Sequence, residues 1–323
     1  MQRLRRLRRT ESLLRLFTET DVPARALVPA YFVVDGAGIR REVPEDGGMW
    51  QLSVDQVAIE AARAREGGAE ALMLFGVPPE KGLHHAADPN GLVARAAASL
   101  KGSGITVMAD VCLCSYTPDG HCGIWRDGMV QNDESVAHLA KMAVMLADAG
   151  VDVVSPSDMM DGRVGAIRRA LDGAGRQDVC ILSYAAKYAS AFYGPFRDAL
   201  GSSTALGAGA ARGVTDKKTY QMDTANGDEA LREVALDLAE GADMVMVKPA
   251  GTALDVIHRV KRAFGVPTFA YQVSGEYSMI RAAAANGWID GEKAAAESVL
   301  VIKRAGADAI LTYFAPELAR AMR

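Results

Sequence analysis

The sequence has few cysteines and no long apolar run, and each shortage excludes a class of protein. No stretch approaches the length of a membrane-spanning helix, and no apolar core follows the basic first residues, as it would in a secretory signal. The four cysteines, three of which fall within residues 112–122, cannot supply the disulfide framework of a secreted protein of this size. We therefore expect a protein of the reducing cytoplasm.

The sequence also lacks a strong net charge and the short motifs of nucleotide binding. A formal charge of −4 gives no general attraction to nucleic acid or to an anionic membrane. There is no P-loop, no dinucleotide fingerprint and no Ser–His–Asp signature. The exception is local, because residues 1–9 (MQRLRRLRR) carry five arginines. We expect residues 1–25 to be an arm that packs on a neighbouring subunit; a nucleic-acid-binding module is the alternative, and it would bind DNA or RNA in a salt-sensitive way.

What the sequence does contain is a repeated alternation of buried strands and helices. Helices are predicted between the strands, among others over 132–149, 228–240 and 290–305, and glycines at four helix ends (Gly68, Gly150, Gly241 and Gly306) indicate one connection reused. This pattern predicts a (β/α)8 barrel of class α/β over residues 26–323, with an open α/β sheet as the alternative. The predicted strands are 27–34, 71–77, 105–113, 151–155, 179–186, 244–247, 268–273 and 309–314.

Two lysines end neighbouring strands of this predicted barrel. Lys248 closes the apolar run DMVMVKPAG, and Lys187 follows the fifth strand. Burial and mutual repulsion lower the pKa of such an amine, and a neutral amine can form a Schiff base with a ketone. The alternative is a pair of lysines that only reach solvent or pair with acids. Other polar residues expected at strand ends, where barrel enzymes hold their catalytic groups, are Asp110, Cys112, Ser157, Asp158, Ser274 and Tyr313.

The spacing C-x-C-x7-C brings three cysteines into one loop. Thiolates suit zinc, and three ligands leave a coordination position open for water or substrate, as in a catalytic site. His121 or Asp119 could instead fill the fourth position and make the site structural. We expect an open, catalytic zinc on Cys112, Cys114 and Cys122.

The segment 188–227 is too long for a simple connection. Its middle, GSSTALGAGAARGV, is rich in glycine and alanine, and Arg197, Lys217 and Lys218 flank it. A cationic loop over the mouth of a barrel is typical of a lid that closes on a carboxylate. A surface insertion without function is the alternative.

Six ordered blocks of the sequence resemble the porphobilinogen synthase (5-aminolevulinate dehydratase) family. They are DVCLCSYTPDGHCG, PSDMMDGRVGAIRRAL, ILSYAAKYASAFYGPFRDAL, KKTYQMD, GADMVMVKPAG and YQVSGEY. The resemblance implies a TIM barrel with an N-terminal arm, assembled as a homo-octamer. It also implies the condensation of two 5-aminolevulinate molecules to porphobilinogen with loss of two waters.

The resemblance also implies roles for individual residues. Lys248 would form the Schiff base with the first substrate and Lys187 with the second, and zinc on the three cysteines would help to activate the second substrate. Glu233 matches a residue that binds an allosteric magnesium in many bacterial members. The residues implied to bind or line the substrates are Ser274 and Tyr313 for the first carboxylate, Arg197, Lys217 and Gln221 for the second, and Asp110, Ser157 and Phe196 in the site.

Three departures from the family pattern stand in this sequence. Asp119 occupies a position that is often histidine in zinc-type members, Lys217 replaces a more common arginine, and the Gly/Ala run 207–214 is longer than usual. The runner-up function is a class I aldolase-type lyase, which is also a Schiff-base barrel. Such an enzyme needs one imine lysine and no zinc, so the second lysine and the cysteine loop argue against it.

Overall fold

The computed structural model of this chain describes residues 1–43, 48–200, 202 and 216–321, so the centre of the predicted lid, 203–215, lies outside the described residues. The strands are β1 (Leu27–Val28), β2 (Ala30–Val33), β3 (Arg40–Glu42), β4 (Trp50–Leu52), β5 (Ala71–Gly76), β6 (Thr106–Val111), β7 (Ile124–Arg126), β8 (Met129–Gln131), β9 (Val153–Pro156), β10 (Cys180–Lys187), β11 (Met244–Lys248), β12 (Thr268–Tyr271) and β13 (Ala309–Leu311). The α-helices are α1 (Glu11–Leu16), α2 (Val54–Glu66), α3 (Leu92–Ser99), α4 (Asn132–Ala149), α5 (Arg163–Gly173), α6 (Gly194–Leu200), α7 (Gly227–Glu240), α8 (Leu254–Phe264), α9 (Ser274–Ala285), α10 (Gly291–Ala305) and α11 (Ala315–Ala321). Within these described ranges no helix is long and apolar enough to cross a membrane.

The parallel strands close into a ring. Along the sheet, β1 is followed by β13, β12, β11, β10, β9, β6, β5 and β2. β1 and β2 are halves of one stretch: Leu27 of β1 pairs with Ile310 of β13, whereas Ala30 of β2 pairs with Met73 of β5. The sheet therefore begins and ends on the same segment. The predicted (β/α)8 barrel is confirmed, and the open sheet is wrong.

The strands are apolar on both faces because both faces are covered. β12 is buried at every position, and β5 and β6 are buried at all but one. One face of each strand points into the barrel, where Phe32, Phe75 and Tyr271 pack, and the other lies under the helices. A parallel sheet enclosed in this way carries continuous apolar runs in place of alternation, which is why the strands could be found in the sequence.

The four helix-ending glycines adopt the backbone conformation that their position requires. Their φ angles are 92° at Gly68, 102° at Gly150, 108° at Gly241 and 123° at Gly306. A residue with a side chain rarely adopts positive φ, so glycine ends the helix at little cost. The single connection type inferred from the repeat is confirmed.

An acidic residue follows three of these glycines and joins two strands. The Oδ2 atoms of Asp152, Asp243 and Asp308 accept hydrogen bonds from backbone N–H groups at the start of the preceding strand in the ring, at 2.8 Å from Val107, 2.7 Å from Ile181 and 2.7 Å from Thr268. Each carboxylate thus satisfies a backbone donor at the amino end of the barrel. These joints lie at the opposite face from the strand ends that carry Lys187 and Lys248.

The N-terminal segment packs little against its own barrel. Neither its first 3₁₀ turn, Leu4–Arg8, nor α1 contains a buried residue. Its large apolar side chains are instead exposed, namely Leu4, Leu7, Leu14, Leu16 and Phe17.

Candidate active site

A small cavity opens at the carboxyl ends of the barrel strands. Strand ends are where barrel enzymes hold their reactive groups, because the loops that follow can shape a site without disturbing the sheet. The cavity wall contains many of the residues predicted from the sequence, namely Asp110, Cys114, Cys122, Ser157, Lys187, Phe196, Arg197, Lys217, Gln221 and Lys248, together with Phe75, Tyr193 and Ser202. Cys112 and Asp158, which were also expected at strand ends, do not line it.

Lys187 and Lys248 are direct neighbours. The two residues are register partners at the ends of β10 and β11, and both side chains are buried. Adjacent strands lie about 4.8 Å apart, so the two stems leave the sheet side by side. Lys187 Nζ donates a hydrogen bond to the carbonyl of Ser157 on the neighbouring strand end. This carbonyl gives Lys187 a polar partner that Lys248 does not share.

Aromatic rings surround the Lys248 amine. Its Nζ lies 4.1 Å from the ring centre of Tyr271, 4.5 Å from that of Phe196 and 5.1 Å from that of Tyr193. Burial, and then the charge of Lys187, lower the pKa of Lys248 to about 7. A substantial fraction of this amine is therefore neutral, and nucleophilic, near neutral pH.

The groups around Lys187 favour its charged form. Burial acts against that form, but the cysteine cluster, above all the Cys122 thiolate, together with Asp110 outweighs it and raises the pKa of Lys187. Burial raises the pKa of the neighbouring Asp110 to about 6, although Ser157 and the two lysines favour the ionised carboxylate. The environment thus separates the two amines, with one held neutral and the other held as an ammonium.

The three cysteines of the predicted metal site lie together. Their Sγ atoms are all within 4.8 Å of one another, and all three residues are buried. Hydrogen bonds from Cys112 and Cys114, aided by the charge of Lys217, hold the pKa of Cys122 well below its usual range, and Lys217 Nζ lies 3.6 Å from Cys122 Sγ. Three converging sulfur atoms with one thiolate already favoured fit a soft divalent metal.

The structure does not bring His121 or Asp119 into this cluster. Among the described residues, the metal-competent group that contains the cysteines has no further member. The Nδ1 atom of His121 is 3.0 Å from the hydroxyl of Tyr220, and its ring stacks on Trp125 with centres 4.4 Å apart. The Asp119 carboxylate accepts a hydrogen bond from the backbone N–H of His121. Both residues shape the loop, and the cluster borders the cavity through Cys114 and Cys122.

The residues expected to bind carboxylates fall into two groups. Arg197, Lys217 and Gln221 line the cavity with the lysines. Ser274 and Tyr313 do not line it. The Oγ atom of Ser274 accepts a hydrogen bond from the backbone N–H of Phe196 at 3.0 Å, and the Tyr313 hydroxyl is 2.6 Å from that of Tyr271.

A network of buried charged residues contacts β10 and the loop that follows β9. The guanidinium of Arg163, at the start of α5, donates hydrogen bonds to both carboxylate oxygens of Asp237 at 3.2 and 3.0 Å. It donates another to Ser183 Oγ at 3.1 Å. It also forms an ion pair with Asp158 at 3.7 Å. Ser183 is on the strand that ends in Lys187, and Asp158 follows Ser157. The network therefore fixes the two strand ends that position Lys187.

Glu233 lies on α7 in a separate, larger cavity. Asp161, Glu229 and Asn132 also line it. Burial, and then the nearby Asp237, raise the pKa of the Glu233 carboxyl. Several oxygen donors around one carboxylate of raised pKa are compatible with a hard cation such as magnesium.

Three tyrosines of the site were not predicted from the sequence. Tyr184, Tyr193 and Tyr271 face the lysine amines, and the Tyr184 ring centre lies within 6 Å of both Nζ atoms. Two signals could have found them: Tyr184 is on the strand that ends in Lys187, and Tyr271 ends the seventh strand. Tyr193 lies in the 3₁₀ turn Ala191–Tyr193 before α6, and its position depends on tertiary contacts alone.

Comparisons with known proteins agree with one another. The sequence model of the family described as Delta-aminolevulinic acid dehydratase matches residues 1–321. The delta-aminolevulinic acid dehydratase of Bradyrhizobium diazoefficiens is 51% identical over 99% of this chain and 91% of that protein. The enzyme of the same name from Streptomyces coelicolor is 50% identical over 99% of this chain and 97% of that protein.

A solved structure gives the same result in three dimensions. The crystal structure of delta-aminolevulinic acid dehydratase (porphobilinogen synthase) from Toxoplasma gondii ME49, in complex with the reaction product porphobilinogen, superposes with a TM-score of 0.93. The two sequences are 41% identical, and the match covers 99% of this chain and 91% of that one.

Proposed function

The chain belongs to the delta-aminolevulinic acid dehydratase family and is a hydro-lyase of tetrapyrrole biosynthesis, and we propose that its paired lysines Lys248 and Lys187 carry out the reaction. In this reaction two 5-aminolevulinate molecules condense to porphobilinogen with loss of two waters. The observation that carries the proposal is the pair of buried amines in register on β10 and β11, with different electrostatic surroundings. A one-imine aldolase would leave Lys187 and the cysteines without a role.

Lys248 binds the first substrate through a Schiff base. Its amine attacks the substrate ketone as the free base, water leaves, and the resulting imine is an electron sink next to the carbon that must form a bond. The aromatic rings around its Nζ exclude water and stabilise a developing positive charge. Asp110, with a pKa of about 6, is placed to accept and return protons in the same cavity.

Lys187 binds the second substrate, and cations at the cavity rim bind its carboxylate. Lys187 must lose a proton before it attacks, and the hydrogen bond to the Ser157 carbonyl orients it for that step. Arg197, Lys217 and Gln221 provide the charge and hydrogen bonds for the carboxylate. Ser274 and Tyr313 bind the first carboxylate; since neither lines the cavity, substrate entry requires a local rearrangement.

Cys112, Cys114 and Cys122 hold zinc as a catalytic cofactor. When bound, zinc would polarise a substrate group as a Lewis acid and would neutralise the thiolate charge that otherwise keeps Lys187 protonated. The three buried, converging sulfurs and the position of Cys114 and Cys122 on the cavity wall support this assignment. Lys217 Nζ is 3.6 Å from Cys122 Sγ, so this lysine contacts the metal site as well as the proposed binding site for the carboxylate of the second substrate.

Borohydride trapping with 5-aminolevulinate, read by peptide mass, tests these assignments. We expect adducts on both lysines in the metal-loaded enzyme, and loss of the Lys187 adduct after treatment with a chelator. Cys122→Ser should lose the metal, lower porphobilinogen formation by about 100-fold or more, and keep the Lys248 adduct. Cys180→Ser, at a cysteine outside the cluster, is the control. A Lys187 adduct that survives chelation would make the metal structural.

The pH dependence of trapping tests the electrostatics of Lys248. The neutral amine is the nucleophile, so a pKa of about 7 makes early-time labelling of Lys248 rise from pH 6 to about 8 and then level off. An ordinary lysine, with a pKa of about 10.4, would continue to gain reactivity over the next two pH units. The measurement is adduct mass at short times with cyanoborohydride. A midpoint near the ordinary lysine value of about 10.4 would contradict the proposed burial effect.

The remaining features support an assembled, metal-regulated cytoplasmic enzyme. The exposed apolar residues of the arm support its role in packing subunits, most simply in a homo-octamer. The carboxylates around Glu233 support an allosteric magnesium site. Buried free thiols in the active site are compatible with a reducing cytoplasm.

A further inference from the structure

We infer that Glu80, His84 and His85 form a second binding site for a divalent transition metal, on the rim of the barrel mouth. The three residues lie in the loop that follows β5. None of them lines the catalytic cavity, so the inference does not rest on the proposed function. Within the described part of the chain, they and the cysteine cluster are the two groups whose donor atoms are close enough to share a metal ion.

The geometry of the three donors fits a small metal ion. One ligand atom from each residue lies within 4.8 Å of the other two, and His85 Nε2 is 3.4 Å from Glu80 Oε1. Tetrahedral zinc with bonds of about 2.0–2.2 Å holds its ligands roughly 3.3–3.5 Å apart. The ring centres of His84 and His85 are 3.9 Å apart, so the two imidazoles lie side by side next to the carboxylate.

The local fold holds this arrangement in place. His84 and His85 lie in the 3₁₀ turn Leu83–Ala87, which is anchored by the buried Ala86 and closed by a hydrogen bond from the His85 N–H to the Gly82 carbonyl at 3.1 Å. A Cβ atom on Gly82 would lie 2.6 Å from the His84 ring and 3.2 Å from the His85 ring. Glycine at this position therefore allows the chain to pass close beneath both imidazoles.

The loop is also tied to the catalytic metal site. Lys81, next to Glu80, donates a hydrogen bond through Nζ to the Cys114 carbonyl at 3.2 Å. This contact fixes the base of the loop and leaves the two imidazoles and the carboxylate at the rim, where Glu80 is 75% exposed. An accessible site can exchange metal with solution more readily than the buried cysteines can.

The donor set determines which metals the site prefers. Two imidazoles and one carboxylate suit zinc, cobalt and nickel, whereas magnesium and calcium prefer oxygen ligands alone. The absence of sulfur distinguishes it from the cysteine cluster by spectroscopy. Cobalt on thiolates gives an intense sulfur-to-metal charge-transfer band in the near ultraviolet, but cobalt on imidazole and carboxylate does not.

Cobalt titration of the untagged, metal-free full chain in excess magnesium tests the inference. We expect a second bound cobalt ion per chain that adds visible absorption without adding to the charge-transfer band. His84→Ala, His85→Ala and Glu80→Gln should each weaken this second ion by at least about tenfold, since loss of outer partners alone costs about 10- to 100-fold. The first ion, its charge-transfer band and porphobilinogen formation at saturating zinc should not change.

His258→Ala is the matched control, because His258 is exposed on α8 away from the cluster. It should leave both cobalt ions in place. The inference is overturned if the wild type binds only the thiolate-type ion, or if the second ion remains at full affinity in all three variants. Thermal unfolding of each variant shows whether a lost ion reflects a lost ligand or a misfolded loop.

Discussion

Replacing Lys248 with methionine should lower porphobilinogen formation by roughly 10⁴-fold or more, because no other neutral amine is placed to form the Schiff base with the first substrate. Methionine keeps the length and apolar character of the lysine stem inside its aromatic surroundings, so the fold should be preserved. The measurement combines steady-state rate with trapping by borohydride. We expect no adduct at position 248, and a Lys187 adduct that forms without product.

Two controls make this result specific. Lys141→Met removes an exposed lysine on α4 and should leave the rate within about twofold, as is usual for surface changes. Lys248→Arg keeps a positive charge but cannot form the imine, so it should be as inactive as the methionine variant. Substantial activity in Lys248→Arg would mean that the residue acts through its charge and not as a nucleophile.

Replacing Arg163 with methionine should cost about 3–5 kcal/mol of unfolding free energy, because it leaves buried Asp237 and Asp158 without their cation. Burial already raises the pKa of Asp158 to about 7, with Arg163 opposing this rise, so the variant should also take up a proton at neutral pH. The measurement is denaturant unfolding at matched protein concentration. A parallel assay should show a weaker Lys187 adduct, since the strand ends that hold Lys187 lose their support.

The exposed ion pair of Arg176 with Asp148 provides the contrast. Both side chains are about half exposed, and Arg176→Met should change stability by no more than about 1 kcal/mol. The double variant Arg163→Met with Asp237→Leu should recover part of the loss, because it removes one unpaired charge together with its partner. Equal costs for Arg163→Met and Arg176→Met would mean that the buried network does not stabilise the barrel.

The sequence was sufficient to predict the barrel and its two lysines for a simple physical reason. Buried parallel strands leave continuous apolar runs, and the residue that ends such a run, as Lys248 does, must lie at the barrel mouth. The cysteine cluster was predictable because Cys112, Cys114 and Cys122 are close in sequence, so a short loop is enough to bring them together. Local patterns such as these do not depend on the rest of the chain.

What could not be predicted depends on contacts between distant segments. The surroundings of Lys248 come from Tyr193, Phe196 and Tyr271, which lie on three separate elements. The hydrogen-bonded ion pair of Arg163 with Asp237 joins residues that are 74 positions apart in the sequence.

Three carboxylates at the amino ends of the strands each join two neighbouring strands of the barrel. Asp152, Asp243 and Asp308 precede the fourth, sixth and eighth barrel strands, and each binds back to the strand before it. With the glycine at 68 before the second strand, the turn signature recurs once in every two strands. Each of these carboxylates therefore ties the start of one barrel strand to the start of the next, on the face opposite the catalytic cavity. Because these contacts hold the strands together at the amino ends, the loops at the carboxyl ends can change in sequence without breaking them.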